Sequence, residues 1–571
     1  MMMKMKKLTY LIAILILSSC YKLDTAPYDK VSASSFWKTE EHALQGILGC
    51  YADMKDGNLF GQYFFYDDLT DIALGYDAGF GDVIGGAITN RTGSIVNRWR
   101  RGFDAIQRTN HAIQNISAMD IEQGSKDVFI GEAKFLRALF YFHLSNLFGG
   151  VPLYDETIDL NKDFNNLLEP RASVDEVRAF ILQDLEAAIA NLPVEYDAKY
   201  FGRATKGAAY ALRGKVYLYN QQWENAIKDF EEIVYNTSNN YGYALHTSYA
   251  ELFNLKGHSS SEMIFAIQNK GGVGFPYGMP MAHYMGTRST FGSAWNNSMP
   301  STTLADRYEN LDGSPFNWDD HFPGYTTDNA VKREAMIATH TNGVFNTLPD
   351  TAKLGEIYRN RDPRMMETLI VPYSWYTGWV ANQARPMQLV MATGVNENFG
   401  QIRNNRGWLT YVWRKFVPEG DLDGELTNRS HTPFNFPLIR LGDVLLMLAE
   451  AYNETGQLDK AIVELNKVRA RSNMPGLNSG PSWLAVGDRE ELFDRIFHER
   501  AVELAGEGLR YFDLKRWHML EEVTGGGLIE KSVVGDNLVT RGFQSRHTLW
   551  PVPAQEIELN PALAPNNPGW E

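Results

Sequence analysis

Two segments of the chain repeat one spacing of small and aromatic residues, and this repeat restricts the possible folds more than any other feature. In residues 208–234 and again in residues 448–468, a small residue, a Tyr, an Ala and a large apolar residue follow one another at the same offsets. These residues are Gly214, Tyr217, Ala226 and Phe230 in the first segment and Ala449, Tyr452, Ala461 and Leu465 in the second. The spacing matches the tetratricopeptide unit, in which small residues let two antiparallel helices pack closely. A helical-repeat scaffold is therefore expected, although Arg213 stands where the pattern has Leu; two unrelated helical hairpins are the alternative.

The character of the chain changes in its middle third. Before it, residues 132–148 place Phe135, Leu136 and Leu139 near one helical face, and Ser173 and Glu176 have the spacing of a capping box. Between about 235 and 433 this periodicity fades, while Gly, Pro, Asn, Trp and Tyr cluster. The stretch is too aromatic to be disordered, so we expect packed loops and short strands that commonly carry function. The predicted fold class is mostly α: a tetratricopeptide-like helical repeat scaffold with an irregular aromatic-rich lobe.

The N-terminus has the pattern of a secretory signal. Lys4, Lys6 and Lys7 precede an apolar, uncharged run at 8–17, which is too short to span a bilayer. Cys20 then follows Leu-Ser-Ser, an arrangement that resembles the bacterial lipobox, so we predict that Cys20 is lipidated and tethers the mature protein to a membrane. An ordinary signal peptide that ends near a Cys is the alternative. The predicted divisions are a signal peptide at 1–19, a tether at 20–30, a helical scaffold at 31–234, an irregular ligand-binding lobe at 235–433, and a helical part with a Pro-rich tail at 434–571.

Charge balance and cysteine content exclude several classes of function. The 571 residues carry 54 Lys and Arg against 69 Asp and Glu, a formal charge of −15, which is unsuited to binding nucleic-acid phosphates. The two cysteines, Cys20 and Cys50, exclude a disulfide framework and a zinc site built on several thiolates. Because Cys50 lies in an apolar helical stretch, a buried and unreactive thiol is expected there.

The common catalytic and cofactor motifs are missing from the sequence. It has no H-E-x-x-H, C-x-x-C, G-x-S-x-G, Walker loop or Rossmann glycine motif. The run DLDGE at 421–425 resembles part of a calcium loop but lacks the full spacing, so a solvated turn is expected. Asp67, Asp68 and Asp71 form the densest acidic group in an aromatic setting, and we expect a solvated turn or a helix cap there too. No catalytic residue, cofactor or metal site is predicted.

A series of motifs runs in order along nearly the whole chain. In the first half they are WRRGFDAIQRTN at 99–110, EAKFLRALFYFHLSNLFGGVPL at 132–153 and RATKGAAYALRGKVYLY at 203–219. In the second half they are NRDPRM at 360–365, RKF at 414–416, PLIRLGDVLLMLAEAYNETG at 437–456, ERAVELAGEGLRYFDLKRW at 499–517 and PVPAQEIELNPALAPNNPGW at 551–570. With these motifs the chain resembles the SusD-like (RagB/SusD) family of nutrient-binding outer-membrane lipoproteins.

This resemblance implies a function as well as a fold. Members of the family are not enzymes; they bind a nutrient, usually a glycan, on the outer face of the outer membrane. They sit as a lid on a SusC-like TonB-dependent transporter barrel, to which they deliver the ligand. The expected partners are therefore a glycan, a SusC-like transporter and the membrane through the lipid anchor, and no nucleic acid. Two alternatives remain: a glycan-active surface enzyme, and a scaffold or lid subunit of a transporter for a non-glycan nutrient.

The resemblance also nominates candidate ligand-binding residues. The family's glycan site draws on an early loop and on the segment around a D-G turn, which correspond here to residues 63–97 and 277–318, with the turn at Asp312-Gly313. Sugars stack their C–H faces on aromatic rings and bond polar side chains, so exposed rings are expected to form the site. The candidates are Tyr76, Phe80, Arg91, Tyr284, Trp295 and Trp318. For each of them, packing within the protein is the alternative. Packing alone is expected for Trp99, Trp375, Trp379, Trp408 and Trp413.

Overall fold

The computed structural model describes residues 36–75, 80–158, 167–274, 277–342, 344–392 and 408–570. The predicted signal peptide, the tether and Cys20 lie outside these ranges. Within them, every helix is too short or too polar to cross a lipid bilayer. The fold is mostly helical, with a few short strands and a large aromatic cluster in the core.

Long helices form most of the first part of the chain. They are α1 (Glu40–Asp53), α2 (Gly81–Ile84), α3 (Gly93–Ala118), α4 (Gln123–Phe148), α5 (Val174–Asn191), α6 (Lys206–Tyr219) and α7 (Trp223–Val234), with the short strand β1 (Ala73–Gly75) between α1 and α2. Helices α3, α4 and α5 pack side by side. The predicted capping box at α5 is confirmed, because Ser173 and Glu176 satisfy each other's backbone N–H groups. The apolar face predicted for residues 132–148 is likewise buried.

The irregular region consists of short helices and two-stranded sheets. Its helices are α8 (Tyr249–Leu252), α9 (Met281–Met285), α10 (Thr302–Arg307), α11 (Asn329–Met336), α12 (Thr351–Arg359) and α13 (Arg364–Thr368). Its strands are β2 (Met263–Ile267), β3 (Ser298–Pro300), β4 (Thr339–Thr341), β5 (Val344–Thr347), β6 (Leu369–Ile370), β7 (Trp375–Val380), β8 (Gln383–Gln388) and β9 (Val412–Trp413). All the strand pairs are antiparallel; β1 pairs with β3, β4 with β5, β6 with β9, and β7 with β8. The packed loops and short strands expected here are therefore found.

Helices return in the last part of the chain. They are α14 (Leu441–Glu454), α15 (Leu458–Arg471), α16 (Arg489–Glu503), α17 (Arg510–Arg516), α18 (Leu520–Thr524) and α19 (Ala554–Leu559). The strands are β10 (Phe436–Arg440), which pairs with β2, and β11 (Ile529–Lys531), which pairs with β12 (Asn537–Thr540). Strand β10 leads directly into α14, so it connects the irregular region to the second helical repeat.

The two repeated segments form the predicted helical pairs, α6 with α7 and α14 with α15. A Cβ atom on Gly214 would lie 2.5 Å from the ring of Phe230, which explains why a small residue stands at this position. Arg213 replaces the Leu of the pattern and donates two hydrogen bonds, of 2.8 and 2.7 Å, to Asp229 on the facing helix. An ion pair therefore links α6 and α7 where an apolar contact was expected.

A cluster of fully buried ion pairs lies where the second helical repeat meets the irregular region. Its carboxylates come from α16 and the segment after it, and its cations come from motifs that are far apart in the sequence. Glu503 accepts hydrogen bonds from Arg440 at 2.8 Å and from Arg364 at 2.9 Å. Glu507 accepts from Arg440 at 2.8 Å and from Lys415 at 2.7 Å. Burial lowers the pKa of Lys415 to about 8, even though the Glu507 carboxylate opposes that shift.

This charge cluster joins four of the sequence motifs in space. Arg364 belongs to NRDPRM, Lys415 to RKF, Arg440 to PLIRLGD and Glu503 to ERAVELAGEG. A buried charge without its partner is very costly, so each motif can be buried only if the others are in place. The cluster therefore fixes how the irregular region sits on the helices.

The acidic group at Asp67, Asp68 and Asp71 is buried, so the solvated turn expected there is wrong. Asp67 accepts backbone hydrogen bonds from Gly506 at 2.8 Å, Gly508 at 3.1 Å and Arg510 at 3.3 Å. The last of these donors opens α17, whose N-cap residue is Leu509, so the Asp67 carboxylate satisfies backbone N–H groups of a segment that is distant in the sequence. Burial would raise the pKa of Asp71, but the guanidinium of Arg510 and a second one from Arg307 lower it to about 2.

Cys50 is buried, as predicted, and burial raises the pKa of its thiol to about 12. The DLDGE run at 421–425 forms a short turn of 3-10 helix, in agreement with the expected solvated turn. Within the described ranges, no cluster of three or more potential metal-binding side chains is present.

We predict that Arg440→Gln destabilises the protein by about 3–5 kcal/mol, because it leaves Glu503 and Glu507 buried with fewer cationic partners. The matched control is Arg333→Gln, which breaks a half-exposed pair with Asp536 and should cost less than about 1 kcal/mol. Urea unfolding of the mature protein, followed by circular dichroism, measures both changes. Equal stability of the two variants would contradict a structural role for the buried cluster.

Candidate functional site

Three rings from the irregular region form a partly exposed group, here called the aromatic platform: His283, Tyr284 and Trp295. The rings of His283 and Tyr284 stack with centroids 4.6 Å apart and planes 8° from parallel. Trp295 meets the His283 ring edge to face, with centroids 4.5 Å apart. Trp295 is 38% exposed, so one part of its ring faces solvent while another part packs against the other two rings.

The backbone around Trp295 holds this ring in position. Helix α9 carries His283 and Tyr284, and the loop at 292–297 returns alongside it. The Trp295 N–H donates to the His283 carbonyl at 2.7 Å, and the Asn297 N–H donates to the Tyr284 carbonyl at 2.6 Å. Gly292, Ser293 and Asn296 have positive φ angles of 73°, 57° and 54°, which is a costly conformation for Ser. The loop conformation is therefore imposed by its surroundings and presents Trp295 in one orientation.

A third segment adds polar groups to the platform. The Arg429 guanidinium lies 5.5 Å from the centre of the Trp295 ring and donates to the Gly292 carbonyl at 2.6 Å. Ser430 Oγ lies 3.2 Å from His283 Nδ1. Burial, and to a smaller extent the charge of Arg429, lower the pKa of His283 to about 4, so the imidazole is neutral at physiological pH. The exposed face thus combines apolar rings with one fixed cation.

Such a surface can bind a ligand that has both apolar faces and hydroxyl groups. The rings accept C–H faces, and the Arg429 guanidinium can donate hydrogen bonds beside them. The Asn297 Oδ1 and His283 Nε2 atoms are buried beneath this face without a hydrogen-bond partner among the described residues. The partly exposed rings and the guanidinium beside them have the geometry of a binding surface.

Two of the predicted residues, Tyr284 and Trp295, lie together on the platform, and Phe80 lies behind it. Phe80 is buried between Tyr66 and the Arg98 guanidinium, which lies 4.2 Å from its ring centre. The expectation that this ring is exposed is therefore wrong, since the core of the protein surrounds it. Phe80 still connects to the platform, because the Phe65 ring lies 6.4 Å from Phe80 and 5.2 Å from Tyr284.

Tyr76 lies outside the described residues, so its place stays a prediction. The described residue before it, Gly75, ends β1 and pairs with Ser298, two positions after Asn296 in the platform loop. Arg91 is exposed and pairs with Glu558 at 2.7 Å, at the C-terminal tail. No described contact of Arg91 reaches the platform.

Trp318 is buried at 4% exposure, so the surface position expected for this ring is wrong. It stacks on Tyr325 with ring centroids 4.8 Å apart, and its Nε1 donates to Asp306 at 2.8 Å. Its edge lines a cavity of about 450 Å³, together with Tyr325 and Lys332.

A larger cavity, of about 820 Å³, lies along α3 and is lined by Trp99 and Phe103.

The packing role that the sequence predicts for five tryptophans is wrong for Trp375 and only partly right for Trp379. Trp413 is buried and Trp99 is buried, as predicted for packing residues. Trp375 is 61% exposed, so packing does not explain it. Trp379 is half-buried against Phe291, with ring centroids 5.6 Å apart. As a strand, WYTGWV at 375–380 places both tryptophans on one face, but its composition does not indicate which face meets solvent.

Known proteins with similar sequences cover the whole length of the chain. Residues 261–570 match the family model described as SusD family, and residues 23–218 match one described as starch-binding associating with outer membrane. The SusD-like protein P25 of Formosa agariphila is 24% identical over 98% of this chain and 98% of its own.

Solved structures show the same fold. A SusD-like protein of Bacteroides fragilis superposes with a TM-score of 0.76 at 25% identity, covering 95% of this chain and 100% of that one. A laminarin-binding SusD-like protein superposes with a TM-score of 0.63 at 24% identity, covering 93% of this chain and 100% of that one.

The different surroundings of Trp318 and Trp295 predict different effects on stability. Trp318→Ala should destabilise the protein by about 3–5 kcal/mol, because it empties a packed site and leaves Asp306 without its donor. Trp295→Ala should change stability by less than about 1.5 kcal/mol, because part of the ring is already in water. Urea unfolding measures both values, and a larger loss for Trp295→Ala would contradict the assignment of Trp295 to a surface platform.

Proposed function

The chain belongs to the SusD family, and on that premise we propose that it is a lipid-anchored protein of the bacterial cell surface that binds a glycan and passes it to a SusC-like TonB-dependent transporter. The family consists of non-catalytic glycan-binding proteins, so an enzymatic function is not proposed. The irregular region at 235–433 serves as the ligand-binding lobe, and the helical parts at 31–234 and 434–571 serve as its scaffold.

One observation carries the glycan assignment: Trp295 presents a fixed, partly exposed ring beside the Arg429 guanidinium. A pyranose ring has an apolar C–H face that packs on an aromatic ring, while its hydroxyls accept from a guanidinium. The starch-binding description of one family model and the laminarin-binding relative support a glucan as the first ligand to test. Tyr76 is proposed as a further ligand residue because Gly75 pairs with β3, the strand that follows the Trp295 loop.

Anchoring and delivery follow from the predicted lipobox and from the family. Lipidation of Cys20 would hold the binding lobe at the outer membrane, which one family model names as the site of association. Because the anchor confines the protein and a transporter to one surface, even a modest interface would keep them together. We propose that this interface uses the helical scaffold, so that a ligand on the lobe can be enclosed between the two proteins.

The glycan proposal predicts a specific loss of affinity. Trp295→Ala should weaken binding of maltohexaose or laminarihexaose, whichever the mature protein binds, by about 1–3 kcal/mol, because a ring anchor is removed. Isothermal titration calorimetry measures the change. The matched control is Trp483→Ala, which removes an equally exposed ring (41%) on the C-terminal helical part and should leave affinity unchanged.

Other outcomes would point to the alternatives. Unchanged affinity of Trp295→Ala for every glycan that the parent binds would place the site elsewhere in the lobe. Release of sugars by the purified protein would favour a surface enzyme. Failure to bind any glycan, with transporter binding retained, would favour a subunit that serves a non-glycan nutrient.

The partner proposal predicts co-purification. Tagged protein extracted from outer membranes in mild detergent should bring down a large transporter barrel, whereas Cys20→Ala should lose its membrane attachment, because one modified thiol carries the acyl chains. Mass spectrometry of the purified complex identifies the barrel. Recovery of the protein without a barrel, while its acyl anchor is intact, would contradict delivery to a transporter.

A further inference from the structure

The hairpin of β7 and β8 carries the most exposed tryptophan of the described irregular region. Trp375 is 61% exposed, and strand geometry places Trp375, Thr377 and Trp379 on one face. The intervening Tyr376 is buried, and its hydroxyl lies 3.1 Å from the Thr287 hydroxyl. The strand therefore has an inner face that packs on residues 287–289 and an outer face that displays two indole rings.

Several hydrogen bonds fix this hairpin to the lobe. The Trp379 N–H donates to the Ser289 carbonyl at 2.6 Å. Arg414 donates to the Trp375 carbonyl at 2.8 Å, and Glu419 accepts from the Thr377 N–H at 2.7 Å. Both ends of β7 are thus tied to separate segments, so the rings are pre-organised and binding to them costs little ordering entropy.

The hairpin contacts the segment that carries the aromatic platform. Trp379 contacts Phe291, with ring centroids 5.6 Å apart, and Phe291 precedes Trp295 by four residues in the platform segment. The four residues Trp375, Trp379, Phe291 and Trp295 are here called the aromatic strip. Along β7 alone, the separation of Trp375 and Trp379 is about 13 Å, which is longer than one sugar ring.

Exposed rings that are held in fixed positions mark a binding surface, because folding gains nothing from leaving them in water. Polar groups lie among these rings: Thr377 lies between the tryptophans, and Gln388 lies directly across from Trp375 on β8. This alternation of rings with hydroxyl and amide groups suits a chain of sugars, whose apolar faces and hydroxyls alternate in the same way. A lipid surface would favour an unbroken apolar patch.

We propose that the β7–β8 hairpin forms a second sugar subsite, with Trp375 as its stacking ring, so that the ligand is a glycan chain several sugars long lying along the aromatic strip. This inference rests on the proposed function and extends it from a single platform to a class of ligand. Short oligosaccharides fill only the platform, whereas longer chains reach Trp375.

Affinity as a function of chain length tests this proposal. For the parent, Trp375→Ala, Trp375→Tyr and Trp483→Ala, calorimetry gives the Kd of each member of a linear series from disaccharide to heptasaccharide of the glucan that the parent binds. Trp375→Ala should weaken binding of the longest chains about three- to tenfold, the size of one stacking contact, and leave the shortest ligands unchanged. Trp375→Tyr keeps an aromatic ring and should restore most of the loss, and Trp483→Ala should match the parent throughout.

The failure of this inference is distinguishable from failure of the proposed function. If the parent binds no glycan of any length, both are overturned. If the parent and Trp375→Ala bind every length equally, or if Trp375→Ala loses the same factor at every length, glycan binding stands and the second subsite is overturned. Loss of transporter co-purification by Trp375→Ala, with all glycan affinities unchanged, would also overturn it, because the hairpin would then be a protein contact.

Discussion

The buried ion pairs around Glu503 and Glu507 are the constraint on which the rest of the structure depends. Arg364, Lys415 and Arg440 reach these two carboxylates from three separate parts of the chain. Replacing such a group by apolar residues can be neutral, but removing one member leaves an unpaired charge in the core. The cluster therefore contributes more to the specificity of the fold than to its stability. A chain that mispacks any one of these motifs cannot bury the others.

The same cluster positions the candidate ligand site. Lys415 and Arg440 are both held in the charge cluster, and the segment between them carries Arg429, which supports the platform. Thr432 lies on this segment as well; its hydroxyl accepts from the Ala282 N–H at 2.8 Å at the start of α9. The segment that supports the platform is therefore held at both ends by the buried charge cluster. The rings of the platform are therefore exposed and still held in one orientation, as a stacking surface for sugars requires.

The sequence was informative where a local pattern decides the structure and uninformative where distant partners decide it. The repeat spacing predicted both helical pairs, and the Ser173 capping box needed only four residues to be recognised. Asp67 was misjudged because its three donors lie more than 400 residues away, at Gly506, Gly508 and Arg510. The exposure of Trp318 and Trp375 could not be predicted from their neighbours in sequence, because it depends on which face of each segment packs against the rest of the fold. The resemblance nominated Tyr284 and Trp295, and the structure brings these two rings together, with centroids 6.5 Å apart; their role in binding a ligand stays a prediction.

Hydrogen–deuterium exchange with and without a saturating oligosaccharide tests the central claim most directly, because it locates the ligand without altering the protein. The account predicts slower exchange on binding in the segments at 281–297 and 428–432, with longer glycans extending the protection to 375–380. It predicts no change in α14 and α15, which form the scaffold. Protection confined to the cavity along α3, or to the cavity beside Trp318, with none in the Trp295 loop, would contradict the claim that the aromatic platform is the glycan site.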